Sequence, residues 1–175
     1  AFTVTHIAAA CGILGWLFVE RLHAGRASAL GAASGLVAGL VGITPAAGFV
    51  PPWAAIIIGF SAGCICYGAI VMKGRLGYDD SLDVVGVHGV GGTWGALMTG
   101  VFAMAAFGGA SGLIEGNPGQ FVTQVVGILG AGIYAAVVTV ILVLVLDKTM
   151  GFRVNDEEEQ IGLDQVEHGE VGYNL

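Results

Sequence analysis

Five apolar stretches, near residues 1–19, 28–44, 52–72, 84–106 and 121–147, constrain this chain more than any other feature. A helix needs roughly 20 apolar residues to cross a hydrocarbon core, and the second stretch is the shortest of the five. Lipid offers the backbone no hydrogen-bond partners, so only helices and closed barrels cross it. Barrel strands would alternate polar and apolar residues, and these runs do not. The expectation is an all-α membrane protein, a bundle of five transmembrane helices over residues 1–147 with a polar tail over 148–175. Composition agrees, with 11% charged residues against about a quarter in soluble chains. The 31 glycines suit membrane helices, where small residues let backbones approach.

Charge placement orients the bundle. Arg21 and Arg26 lie between the first and second stretches, Lys73 and Arg75 between the third and fourth, and Lys148 and Arg153 after the fifth. The other two connections, 45–51 and 107–120, carry no lysine or arginine. Five crossings put all six basic residues on one side, which the positive-inside rule makes cytoplasmic. The chain is expected to start outside and end inside, as a multi-pass protein of the cell membrane. It begins without a basic leader or initiator Met, which suggests that an N-terminal portion precedes it. No basic patch points to nucleic acid. Cys11, Cys64 and Cys66 all fall in expected spans without paired spacing, so they read as small packing residues.

The chemistry concentrates in residues 79–95. Asp79, Asp80 and Asp83 crowd the start of a glycine-dense apolar run that holds one histidine, His88. An ionisable residue inside a membrane span is a functional candidate, and such groups mostly face bundle interiors or pathways. Asp80 or Asp83 is expected to cap the helix N-terminus. A period of 3.6 residues puts Val84, His88, Gly91 or Gly92, Gly95 and Thr99 on one stripe. That stripe is expected to face a narrow cavity.

The remaining polar groups invite simpler readings. Ala32, Gly35, Gly39 and Gly42 form a small-residue packing face on the second helix. Ser34 and Thr44 are its polar exceptions, each able to bond a carbonyl four residues back. Pro45 stops that helix. Trp53 and Tyr67 sit toward the two ends of the third helix, as interfacial aromatics do. His6 reads as an interfacial or packing residue. The tail carries the acidic run Asp156-Glu157-Glu158-Glu159, and Gly151, Gly162 and Gly169 punctuate it in a way that suggests order.

Several segments together resemble the ammonium transporters of the Amt/Mep/Rh family, on the Amt side. They are Ala32-Ala33-Ser34-Gly35, Gly39-Leu40-Val41-Gly42-Ile43-Thr44-Pro45-Ala46, and Asp79-Asp80 followed by Asp83-Val84-Val85-Gly86-Val87-His88-Gly89-Val90-Gly91-Gly92. The tail adds Gly162-Leu163-Asp164 and His168-Gly169-Glu170. The resemblance implies helices seven to eleven of an eleven-helix transporter. It implies that His88 is one of two histidines facing each other in a narrow apolar pore, with its partner in the other half. It places Thr44 near the pore wall, Val84 toward the inner end, and Asp80 and Asp83 as anchors of the fourth helix. It further implies a homotrimer, ammonium or ammonia as substrate, and a PII-type protein that reads the tail. No metal or organic cofactor is implied.

The physics suits that role. Moving an intact ammonium ion through an apolar pore incurs a large desolvation cost, which neutral ammonia avoids. A histidine pair can bond ammonia or relay a proton. A rival reading is an intramembrane serine protease of the rhomboid kind, with Ser34 as nucleophile and His88 as base. It leaves the aspartates and the tail unexplained.

Overall fold

The first helix outlasts its apolar stretch. In a computed structural model, which describes residues 1–172, α1 runs Phe2–Ala24. Charged residues after Val19 end the apolarity but not the helix. Gly25 ends it, at φ 76, with its N–H bonded to the Arg21 carbonyl. Arg21 and His23 in the last turn also suit the negative end of the helix dipole. The same rule ends α3, Pro52–Leu76, where Lys73 and Arg75 occupy the last turn and Gly77 adopts φ 70.

Between them, α2 runs Ala29–Ile43. The Ser28 Oγ accepts the Gly31 N–H at 2.9 Å and itself donates to Glu20 at 2.7 Å, tying the start of α2 to the end of α1. Thr44 caps the other end before Pro45. With 15 residues, α2 is about 22 Å long, short of a full hydrocarbon core.

These three helices pack through small residues. A Cβ at Gly59 of α3 would collide with the Ala8 carbonyl of α1, and one at Gly39 of α2 would meet that same carbonyl. The small-residue face of α2 serves two neighbours. Gly35 and Gly39 meet α1, while Gly42 meets Ala62 of α3. One core cluster gathers Ala8, Ile43, Ala54 and Ile58; another gathers Trp16, Ala38, Cys66 and Val87. Lipid supplies no hydrophobic drive between helices, so close van der Waals packing of this kind holds them. Tyr67 departs from the expected aromatic belt. It turns inward, edge-on to Trp16, and its hydroxyl meets the Nδ1 of His23 at 2.9 Å.

The fourth stretch is not one helix over 84–106. It opens as a π-helix, Val85–Val90, continues as α4, Gly91–Phe102, and breaks at Ala103 and Met104. Tertiary bonds stabilise the break. The Met104 N–H donates to the Phe49 carbonyl at 2.9 Å, and the Gly112 N–H donates to Ala103 at 2.7 Å. A short α5, Ala105–Gly108, and a 3₁₀ turn, Leu113–Glu115, come next. Glu115 reaches back to accept the Ala105 N–H at 2.9 Å.

α6 spans Pro118–Thr149, with proline at its first residue, where no N–H is needed. Phe121 near its start packs on Gly100 of α4. Among the described residues, three helices, α1, α3 and α6, are long and apolar enough to cross a membrane.

The chain divides into a unit of residues 1–129 and a second unit from Gly130 onward. In the second unit, the tail contains α7, Asp156–Ile161, and α8, Leu163–His168. Asn155 and Glu158 form a reciprocal capping box at the start of α7. Gly162, at φ 109, allows the turn between the two helices, and Gly169 at φ 64 ends α8. The Glu170 N–H returns to the Asp164 carbonyl at 2.9 Å, so the glycine-punctuated segment is folded.

Candidate functional site

The turn before the fourth stretch sets the site. Both oxygens of Asp80 accept backbone N–H groups, from Val84 at 2.8 Å and from Val85 at 2.9 Å. Asp80 is therefore the cap, and it satisfies donors that the start of a helix leaves unpaired. Asp83 serves differently. It adopts φ 57, a left-handed conformation that aspartate tolerates better than most residues. Its carboxylate forms an ion pair with Lys73, at the end of α3. The Lys73 ammonium also donates to the Asp80 carbonyl at 2.7 Å.

Beyond this braced turn the backbone takes the π form, and His88 lies within it. π-turns are rare and frequent at functional sites. The turn also corrects the expected single stripe. Its i→i+5 bonds insert an extra residue, which rotates the rest of the helix by roughly 100° against an α-helical register. Gly91, Gly95 and Thr99 accordingly turn into the bundle, where they are buried. A Cβ at Gly95 would collide with the Gly42 carbonyl of α2, and Thr99 donates to the Gly95 carbonyl at 2.8 Å. Val84 and His88 lie on a different, exposed face.

His88 lines a cavity of about 220 Å³ with Ala33, Ser34, Val37, Leu82, Asp83 and Val87. Of the residues singled out in the sequence, the fold brings His88, Ser34 and Asp83 together here. The imidazole has no hydrogen-bond partner among the described residues. Ser34 forms no hydrogen bond with it either, so the dyad needed for a serine nucleophile is not assembled. Thr44 and Val84 are not in this lining. The Thr44 hydroxyl donates to the Leu40 carbonyl at 2.7 Å, the local outcome open to it. His6 stands apart, stacked on Phe2 with ring centroids 4.8 Å apart. It lines a separate groove with Ile13, Leu36 and Leu40. The tail residues Gly162, Asp164, His168, Gly169 and Glu170 belong to the folded turn described above, in the other unit.

Sequence reasoning used Lys73 only to set topology and so missed its place at the site. A lone lysine at a helix end, just before an acidic turn, was the available signal. It also missed Trp94, whose indole N–H donates to the Ser61 Oγ at 2.8 Å and ties α4 to α3. No sequence signal announces that pair.

These features describe a multi-pass α-helical membrane protein with a histidine-lined cavity at a π-turn. The Ammonium Transporter Family profile matches residues 1–173, and the chain belongs to that family. The ammonium transporter of Bacillus subtilis (strain 168) is 44% identical over 99% of this chain and 44% of its own length. That of Aquifex aeolicus (strain VF5) is 46% identical over 98% of this chain and 40% of its own. The chain thus spans less than half the length of these curated relatives. The crystal structure of Saccharomyces cerevisiae Mep2 superimposes with a TM-score of 0.84 at 38% identity, covering 93% of this chain and 38% of that one.

Proposed function

We propose that the protein carrying this chain moves ammonium or ammonia across the cell membrane, and that His88 is a pore histidine. The observation that carries the reading is an imidazole with no hydrogen-bond partner among the described residues, beside a small cavity, on a π-turn of a chain in this family. Such an imidazole offers both a donor and an acceptor to a small polar molecule. In this reading the five apolar stretches are helices seven to eleven of an eleven-helix transporter. A second histidine, contributed from outside this chain, faces His88. Thr44 and Val84 lie along the same path, and Ser34, Asp80 and Asp83 anchor the helices that frame it.

The same reading extends to the tail and the assembly. The C-terminal tail is cytoplasmic, as the placement of the six basic residues supports. The protein assembles as a homotrimer. A PII-type regulator engages the cytoplasmic face through Gly162, Asp164, His168, Gly169 and Glu170. Undiminished PII affinity after deletion of residues 148–175 would remove the tail from that role.

Ammonium uptake into liposomes, with wild type beside His88→Ala, tests the main claim. Uptake is expected to fall or lose selectivity while the assembly stays folded. Normal, selective uptake by His88→Ala would reduce the histidine to packing.

A further inference from the structure

Asp80 and Asp83 open the fourth stretch with the same charge and opposite settings. Asp80 directs both oxygens into the N–H groups of Val84 and Val85, so the helix start absorbs its charge. Asp83 stands on the wall of the His88 cavity, where it is the only carboxylate among the described residues. Its partner is Lys73, held at two points by the Asp83 carboxylate and the Asp80 carbonyl. The pair is shielded, with side-chain exposures of 22% for Lys73 and 34% for Asp83. Its charges are therefore less screened by water than those of a surface pair.

We infer that Lys73 determines specificity by neutralising the one carboxylate on the wall of the His88 cavity. The inference rests on the transport reading above. A bare carboxylate beside a narrow, mostly apolar cavity would hold any small cation, sodium as well as ammonium. Release would slow and competitors would be admitted. With Lys73 in place, the wall offers hydrogen-bonding groups and no net charge, which favours a neutral molecule. Lys73 is thus a positioning and charge-balancing residue that acts through Asp83.

The test measures ammonium uptake into liposomes with and without sodium. It compares wild type, Lys73→Met, Lys73→Arg, Asp83→Asn and the Lys73→Met/Asp83→Asn double variant of the protein that carries this chain. Wild type and Lys73→Arg are expected to ignore sodium. Lys73→Met is expected to be inhibited at sodium concentrations lower by about tenfold or more, the scale of attraction between unit charges a few ångströms apart in partly shielded surroundings. The double variant removes both charges and is expected to recover sodium indifference. Asp83→Asn leaves the Lys73 charge uncompensated, so uptake should drop severalfold without any sodium effect.

A purely structural brace would instead lower uptake and Tm alike in both single variants, with no change in ion sensitivity. Sodium indifference of Lys73→Met overturns the inference. If Lys73→Met does not fold, Asp83→Asn decides, and unchanged uptake there overturns it. Absence of ammonium uptake by wild type defeats the transport reading and this inference with it. Wild-type uptake with sodium-indifferent variants defeats the inference alone.

Discussion

α3 and α6 are both long and apolar, and the fold uses them in opposite ways. α3 buries Ala54, Ala55, Ile58, Gly59, Ala62, Gly63 and Cys66, while α6 buries no residue. Hydropathy does not explain the difference, since α6 is the more apolar of the two. Local geometry does. The small residues of α3 recur at helical spacing along one face, and the α1 backbone sits directly on them. The glycines of α6 meet nothing. Gly127, Gly130 and Gly132 have open space where a Cβ would go. Apolarity qualifies a helix for the membrane, whereas a line of small side chains selects its neighbour.

The comparison is most exposed at Gly59. Gly59→Leu drives a side chain into the Ala8 carbonyl and is expected to destabilise the detergent-solubilised protein by about 3 kcal/mol or prevent folding, since overpacking typically costs about 1–3 kcal/mol and here meets backbone. A thermal melt that leaves Tm unchanged would mean that α1 and α3 do not pack as described. Asp80→Ala comes next. It strips the cap from the π-turn, and a loss of about 1–2 kcal/mol is expected in the same assay. Ser61→Ala removes the acceptor for Trp94 and should lower stability by about 1 kcal/mol.

The smallest effect is expected at Gly130→Ala. Open space around it predicts no loss, and alanine favours a helix over glycine by up to about 1 kcal/mol. A clear drop in Tm there would show that α6 meets a close partner in the assembled protein. The contrast with α3 would then belong to this chain alone.

The candidate site was partly legible. His88 stood out because a titratable ring is costly among apolar neighbours, and Asp80 because a helix start needs acceptors. The stripe drawn through His88, Gly91, Gly95 and Thr99 assumed a constant 3.6-residue period. The π-turn breaks that period, so the glycines turn inward while the histidine does not. The assignment of Asp80 to the cap and of Asp83 to Lys73 was equally hidden, because either acid suits either partner by type.

What the sequence determined by itself is whatever adds up residue by residue. Transfer into lipid is such a sum, and it specified helices, their approximate extents and the side on which the basic residues gather. The endings of α1 and α3 were also local, written in Gly25 and Gly77 after basic last turns. Only the tertiary structure decided the phase of the fourth stretch, its break at Ala103 and Met104, and the pairing of Lys73 with Asp83. Each depends on where another segment's atoms lie: the Gly42 carbonyl beneath Gly95, the Phe49 carbonyl beside Met104, the end of α3 beside the acidic turn. Those positions are relations between distant parts of the chain, and no local window contains them.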